Sequence, residues 1–122
     1  MRTIVNSFGY RGAMDQLVVV SRFRVGVDDT EEFRSAAFTA LAVLGQRPGH
    51  VGGRLARNVD EPDLWLLSTT WTNVGSYRRA LSSYDVKVSG VPLLSRAIDE
   101  PSAYEQVQPG EPTNSQQARE LG

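Results

Sequence analysis

Residues 66–81 read LLSTTWTNVGSYRRAL. Extended back to Leu64, the first half has strand character. Leu64, Leu66, Ser68 and Thr70 point one way, and Trp65, Leu67, Thr69 and Trp71 point the other. The second half places Val74, Tyr77, Leu81 and Tyr84 at helical spacing behind Asn73, a good N-cap. A strand thus delivers Trp71 to the point where the chain turns back as a helix carrying Tyr77. Trp71 is expected in the wall of any pocket.

Upstream of this junction, residues 59–63 (VDEPD) form a turn, and residues 51–58 (VGGRLARN) form the strand that pairs with it. Gly52 and Gly53 mark a bulge or a close backbone approach. Residues 28–45 carry Phe33, Ala36, Ala37, Ala40, Leu41 and Leu44 as one helix stripe, with Asp28-x-x-Glu31 and Asp29-x-x-Glu32 as capping boxes. Residues 17–25 (LVVVSRFRV) are a β-branched strand, with Ser21 among apolar residues on one face and Arg22 and Arg24 on the other.

Downstream, residues 85–89 form a further helical turn or a loop, Pro92 starts a short helix through Ala97, Pro101 breaks it, and residues 102–108 form a last strand. Residues 1–14 read as an N-terminal extension, although 3–5 are compatible with a short strand. Residues 15–108 are the domain, and 109–122 are a polar tail.

The order β-α-β-β-α-(α)-β is the ferredoxin-like α+β arrangement, an antiparallel sheet with helices on one face. The other face carries Leu64, Leu66 and Ser68 with nothing in the chain to cover it. An exposed apolar sheet face predicts a homodimer packed through the sheet faces.

Composition removes several classes of function. The 122 residues carry 13 basic and 14 acidic side chains, so no field of one sign points to nucleic acid. There is no cysteine and one histidine, His50, which excludes thiolate chemistry, cysteine-held metals and a multi-histidine metal site within one chain. No apolar run suits a membrane span, and residues 1–16 lack a signal-peptide core. A cytoplasmic protein is expected, with no metal.

An ordered set of pieces resembles the antibiotic biosynthesis monooxygenase family of dimeric α+β barrels. The pieces are residues 18–25 with Glu32-Phe33, Arg47-Pro48-Gly49-His50-Val51, Trp71 six residues before Tyr77, Leu81-x-Ser83, Val91-Pro92-Leu93-Leu94 and Pro101-x-x-Tyr104-Glu105. The resemblance covers residues 16–108. It implies a homodimer with a pocket in each protomer between sheet and helices. It also implies oxidation of an aromatic or quinol-like small molecule by dioxygen without metal, flavin or haem.

Trp71 and Tyr77 match the family's Trp and Tyr. Leu67 stands where the polyketide-oxidising members place an Asn, and Arg57 is nearest to their strand-two His. Leu81-Ser82-Ser83 occupies the region where haem-degrading relatives place a His.

The catalytic candidates are therefore Trp71, Tyr77, Arg22 and His50, with Leu67, Phe33, Tyr84 and Phe23 as lining. Each has a plainer reading. Trp71 is core, Tyr77 packs with its hydroxyl in water, Arg22 and Arg24 pair with carboxylates, and His50 sits on an exposed turn. Asp60, Glu61 and Asp63 are a solvated loop rather than metal ligands, and Gly49-x-x-Gly52-Gly53 precedes no helix and is no phosphate loop. Two functions stand side by side: a cofactor-independent monooxygenase, and a non-catalytic binding or interaction module on the same fold.

Overall fold

The computed structural model describes residues 16–110. The reading of residues 1–14 and of most of the polar tail lies outside them. The elements are β1 (Leu17–Arg24), α1 (Thr30–Gly45), β2 (His50–Arg57), β3 (Leu64–Trp71), α2 (Val74–Ser82), α3 (Tyr84–Ser89), α4 (Val91–Leu94) and β4 (Ala103–Glu105). The sheet order is β2-β3-β1-β4, antiparallel throughout. This is the ferredoxin-like α+β fold expected from the sequence.

β1 and β3 pair over their whole length, from Leu17 opposite Trp71 to Arg24 opposite Leu64. Burial alternates along both. Leu17, Val19, Ser21 and Phe23 share the helix-covered face with Trp65, Leu67, Thr69 and Trp71. Val18, Val20, Arg22, Leu64, Leu66, Ser68 and Thr70 are only half-buried on the other face. The period of two therefore decides which side of every residue meets the core.

The register of β2 slips between His50 and Gly52, the bulge expected at the paired glycines. A Cβ on Gly53 would stand 3.0 Å from Leu41 Cδ2, so that glycine lets α1 approach the strand. The preceding turn needs Gly49, whose φ is 89°. A Cβ there would collide with Ser76, and Thr72 N donates to Gly49 O at 2.8 Å. The turn is thereby clamped on the start of α2, which sets His50 directly opposite Trp71.

α1 buries Phe33, Ala37, Ala40 and Leu44, as its stripe predicts. Its capping boxes do not form. A 3₁₀ turn (Val27–Asp29) leads into the helix, and Asp29 at φ −104°, ψ 2° lacks the extended backbone from which a side chain reaches back to the helix amides. Asn73 does cap α2: at φ −164°, ψ 171° its side-chain oxygen accepts from Ser76 N at 2.8 Å. Asn73→Ala should lower stability by about 1 kcal/mol, with Asn73→Ser close to wild type, in urea unfolding followed by circular dichroism.

The last strand is shorter than expected, Ala103–Glu105 rather than 102–108. The residues before it run as a strap along the rest of β1, with Ile98 N donating to Arg22 O at 2.8 Å and Val20 N to Ser102 O at 2.7 Å. Arg24 pairs with Glu61 at 2.7 Å and Asp63 at 3.2 Å, which accounts for two of the three acids in the β2–β3 turn.

Candidate functional site

A cavity of about 370 Å³ opens between β1, α2 and the strap. Ser21 and Tyr77 lie on its inner side, Leu94, Ala97 and Ile98 supply apolar wall, and Ser95, Asp99, Glu100 and Ser102 line it from the strap side. Its lining mixes polar and apolar side chains.

Trp71 is not in the wall. It is fully buried in a core cluster with Leu17, Val19, Leu44, Ala80 and Val86. The end of β3 aims it into the helix layer, where α1 and α3 close over it. Its Nε1 donates to Thr69 Oγ1 at 2.9 Å, so its one polar atom is satisfied inside the core. The Trp71 ring lies 5.6 Å from that of Tyr77 at 50°, and 5.2 Å from that of His50 at 89°. The three rings form a row, His50–Trp71–Tyr77, of which only Tyr77 lines the cavity.

Tyr77 is half-buried, and its hydroxyl has no hydrogen-bond partner among the described residues. Burial pushes the phenol above its ordinary value, because the phenolate would lose its hydration. Tyr77 therefore presents a neutral donor to whatever enters.

Arg22 is on the half-buried sheet face, opposite in direction to Trp71. Its Nε and Nη2 each donate to Glu100 at 2.7 Å. The guanidinium reaches the cavity only through that carboxylate. The hydrogen bonds from Arg22, with its charge, hold Glu100 below the usual carboxylate range, against a smaller opposing effect of burial. Arg22 thus fixes Glu100 as an anion at the cavity's edge. The reading of Arg22 as a carboxylate-paired residue holds; direct contact with a ligand in this cavity does not follow.

His50 sits behind Trp71, away from the cavity. Its Nε2 is buried without a partner, and burial pulls the imidazole below its ordinary value. The unfolded chain then binds more protons than the native one below about pH 6.5. Stability carried by neutral His50 is full above that pH and is lost as pH falls towards the lowered native value. His50→Gln should flatten this decline in denaturant midpoints measured from pH 7.5 to about 5, other groups being common to both proteins.

The other lining candidates lie elsewhere. Leu67, Phe23 and Phe33 are each 1% exposed in the first core cluster, with the Phe23 and Phe33 rings 5.0 Å apart. Phe33 of α1 packs in the same cluster and closes this part of the core. Tyr84 is 79% exposed, because α3 begins a new helix at Ser83 and turns that position outwards. The structure adds Ser21, Asp99, Glu100 and Ser102 to the site. Ser21 was visible in the sequence as the polar residue on the buried face of the first strand. The strap residues carried no signal, since only its course along β1 brings them inwards.

Among the described residues no cluster of three or more His, Asp or Glu is placed to hold a metal ion. Nor is any helix among them long and apolar enough to cross a membrane.

A ferredoxin-like sheet with a cavity between its first strand, the helix after its third strand and a C-terminal strap defines a small α+β domain with room for a ligand beside Tyr77. The antibiotic biosynthesis monooxygenase pattern matches residues 16–88, more than half of the chain, and the chain belongs to that family. Among solved structures it is similar to SnoaB, a cofactor-independent oxygenase from Streptomyces nogalater, at 26% identity over 77% of this chain and 95% of that one, with TM-score 0.66. A conserved protein from Methanosarcina mazei Go1 superposes with TM-score 0.68 at 20% identity, over 80% of this chain and 99% of that one. At that identity the likeness concerns the fold alone. No curated protein matches the chain.

Proposed function

We propose that this chain is a cofactor-independent monooxygenase that oxidises a phenol or quinol-like aromatic in the Tyr77 cavity. The observation that carries the reading is Tyr77 itself: a half-buried phenol on a cavity wall, its hydroxyl without a hydrogen-bond partner among the described residues, in contact with Trp71, in a member of this family. Likeness to a cofactor-independent oxygenase supports the reaction type.

For a phenol, the balance is phenol plus dioxygen giving quinone plus water. One oxygen atom enters the ring, the other leaves as water, and the substrate supplies all the electrons. The protein's part is to bind, orient and exclude water. Tyr77 would donate to the substrate oxygen, which gains negative charge as the phenol deprotonates. Asp99, on the cavity wall, would receive that proton through water, while Arg22 would keep Glu100 an anion at the cavity's edge and act as a positioning residue through it.

The test is turnover of a hydroquinone and naphthol panel under isotopically labelled dioxygen. One labelled oxygen per product and one in water is expected. Unlabelled product would contradict the reading.

A second reading, a binding module without turnover, is favoured by Leu67, buried in the core where oxidising relatives keep an amide. Saturable binding of the same aromatics without oxygen uptake would select it. In either case we propose that a second copy covers the half-buried face carrying Val18, Val20, Leu64 and Leu66. A dimer in sedimentation at micromolar concentration is expected; a monomer there would refute this pairing.

A further inference from the structure

We propose that the groove between α1 and the edge strand β2 is a second ligand site, one that takes an aromatic carboxylate. The groove has a volume of about 380 Å³ and is lined by Arg34, Phe38, Leu55, Ala56, Arg57 and Trp65. None of these lines the Tyr77 cavity. Two features mark it as built for a flat body with one anionic end.

The first feature is uncompensated charge. Arg22, Arg24 and Arg96 are each held by a carboxylate, at 2.7, 2.7 and 2.9 Å. The two groove arginines are not held in this way. Arg57 donates through Nε to Pro62 O at 2.6 Å, which leaves its terminal nitrogens without a protein acceptor among the described residues. Its guanidinium carbon lies 5.2 Å from the centroid of the Trp65 ring, a cation–π contact that holds the side chain at the groove. Arg34 has only Glu31, at 3.8 Å. No acidic residue lines the groove.

The second feature is an exposed aromatic. Phe38 is 55% exposed on the groove side of α1, an uncommon state for a phenylalanine. The Trp65 ring, 5% exposed, also lines the groove. A carboxylate gripped by Arg57 and Arg34, with its ring against Phe38 and Leu55, complements both features.

The test uses the full chain labelled with nitrogen-15, whose two tryptophans give two indole signals, assigned with Trp65→Phe. Benzoate and 1-naphthoate are titrated in, with the matching carboxamides and acetate as controls. Both aromatic acids should move the Trp65 signal saturably while the Trp71 signal stays still. The carboxamides, and Arg57→Gln against the acids, should each bind roughly ten-fold more weakly or worse, as loss of a charge-assisted pair implies. Arg34→Gln should weaken binding in the same direction, and it decides the matter if Arg57→Gln perturbs the fold. No saturable shift, shifts centred on Tyr77 and Ser21, equal binding of acid and amide, or wild-type affinity in folded arginine variants would each overturn the proposal.

Discussion

Trp71→Ala should lower the stability of the protein by about 3–5 kcal/mol. The ring is fully buried between β3 and the helices, and the rings of Tyr77 and His50 both pack against it. Removing it leaves a cavity that the clamped β2 turn and the surrounding core cluster keep from collapsing fully. It also leaves the Thr69 hydroxyl without its buried donor. A loss of this size is a large part of the total stability of an ordinary domain. Urea unfolding followed by tryptophan fluorescence, with Trp65 as reporter, measures it. Trp71→Phe restores most of the volume and should recover more than half of the loss. A small effect of Trp71→Ala would mean that the ring is not core.

Tyr77→Phe should have the opposite profile. The hydroxyl has no protein partner among the described residues, so its removal should change stability by less than about 1 kcal/mol. Turnover should fall about a hundred-fold, the usual worth of one donor aimed at developing negative charge. The loss should appear in kcat more than in KM if the bond strengthens as the substrate oxygen ionises. Because burial raises the phenol's pKa and so disfavours its ionisation, this donor persists through the alkaline side of any pH–rate profile up to at least the ordinary tyrosine range. Equal falls in stability for Tyr77→Phe and Trp71→Ala would place both residues in the same structural role.

The two variants show how the sequence and the structure divide the account. The strands, the helix stripe of α1, the Asn73 cap and the half-buried sheet face were legible, because periods of two and 3.6 report burial directly. The same periodicity could not separate a core aromatic from a pocket aromatic. Trp71 and Tyr77 both face inwards, and only the closure of α1 and α3 over the first decides which one a ligand can meet. The inward faces of Phe23, Phe33 and Leu67 carry the same ambiguity. Arg22 was legible as a paired arginine, but its partner Glu100 lies 78 residues away on a strap without periodicity. The capping boxes at Asp28 and Asp29 failed because a 3₁₀ turn, invisible in the residue pattern, takes the place of the extended N-cap.

The central claim is that the Tyr77 cavity oxidises a bound aromatic with dioxygen and without an added cofactor. Oxygen consumption by the chelator-treated full chain, across a panel of naphthols and hydroquinones, tests it most directly when wild type and Tyr77→Phe are run side by side. The account predicts uptake above the buffer rate with at least one phenol, and its loss in a Tyr77→Phe protein that unfolds at the wild-type midpoint. Uptake no faster than buffer across the panel, or equal uptake in the two proteins, would contradict it.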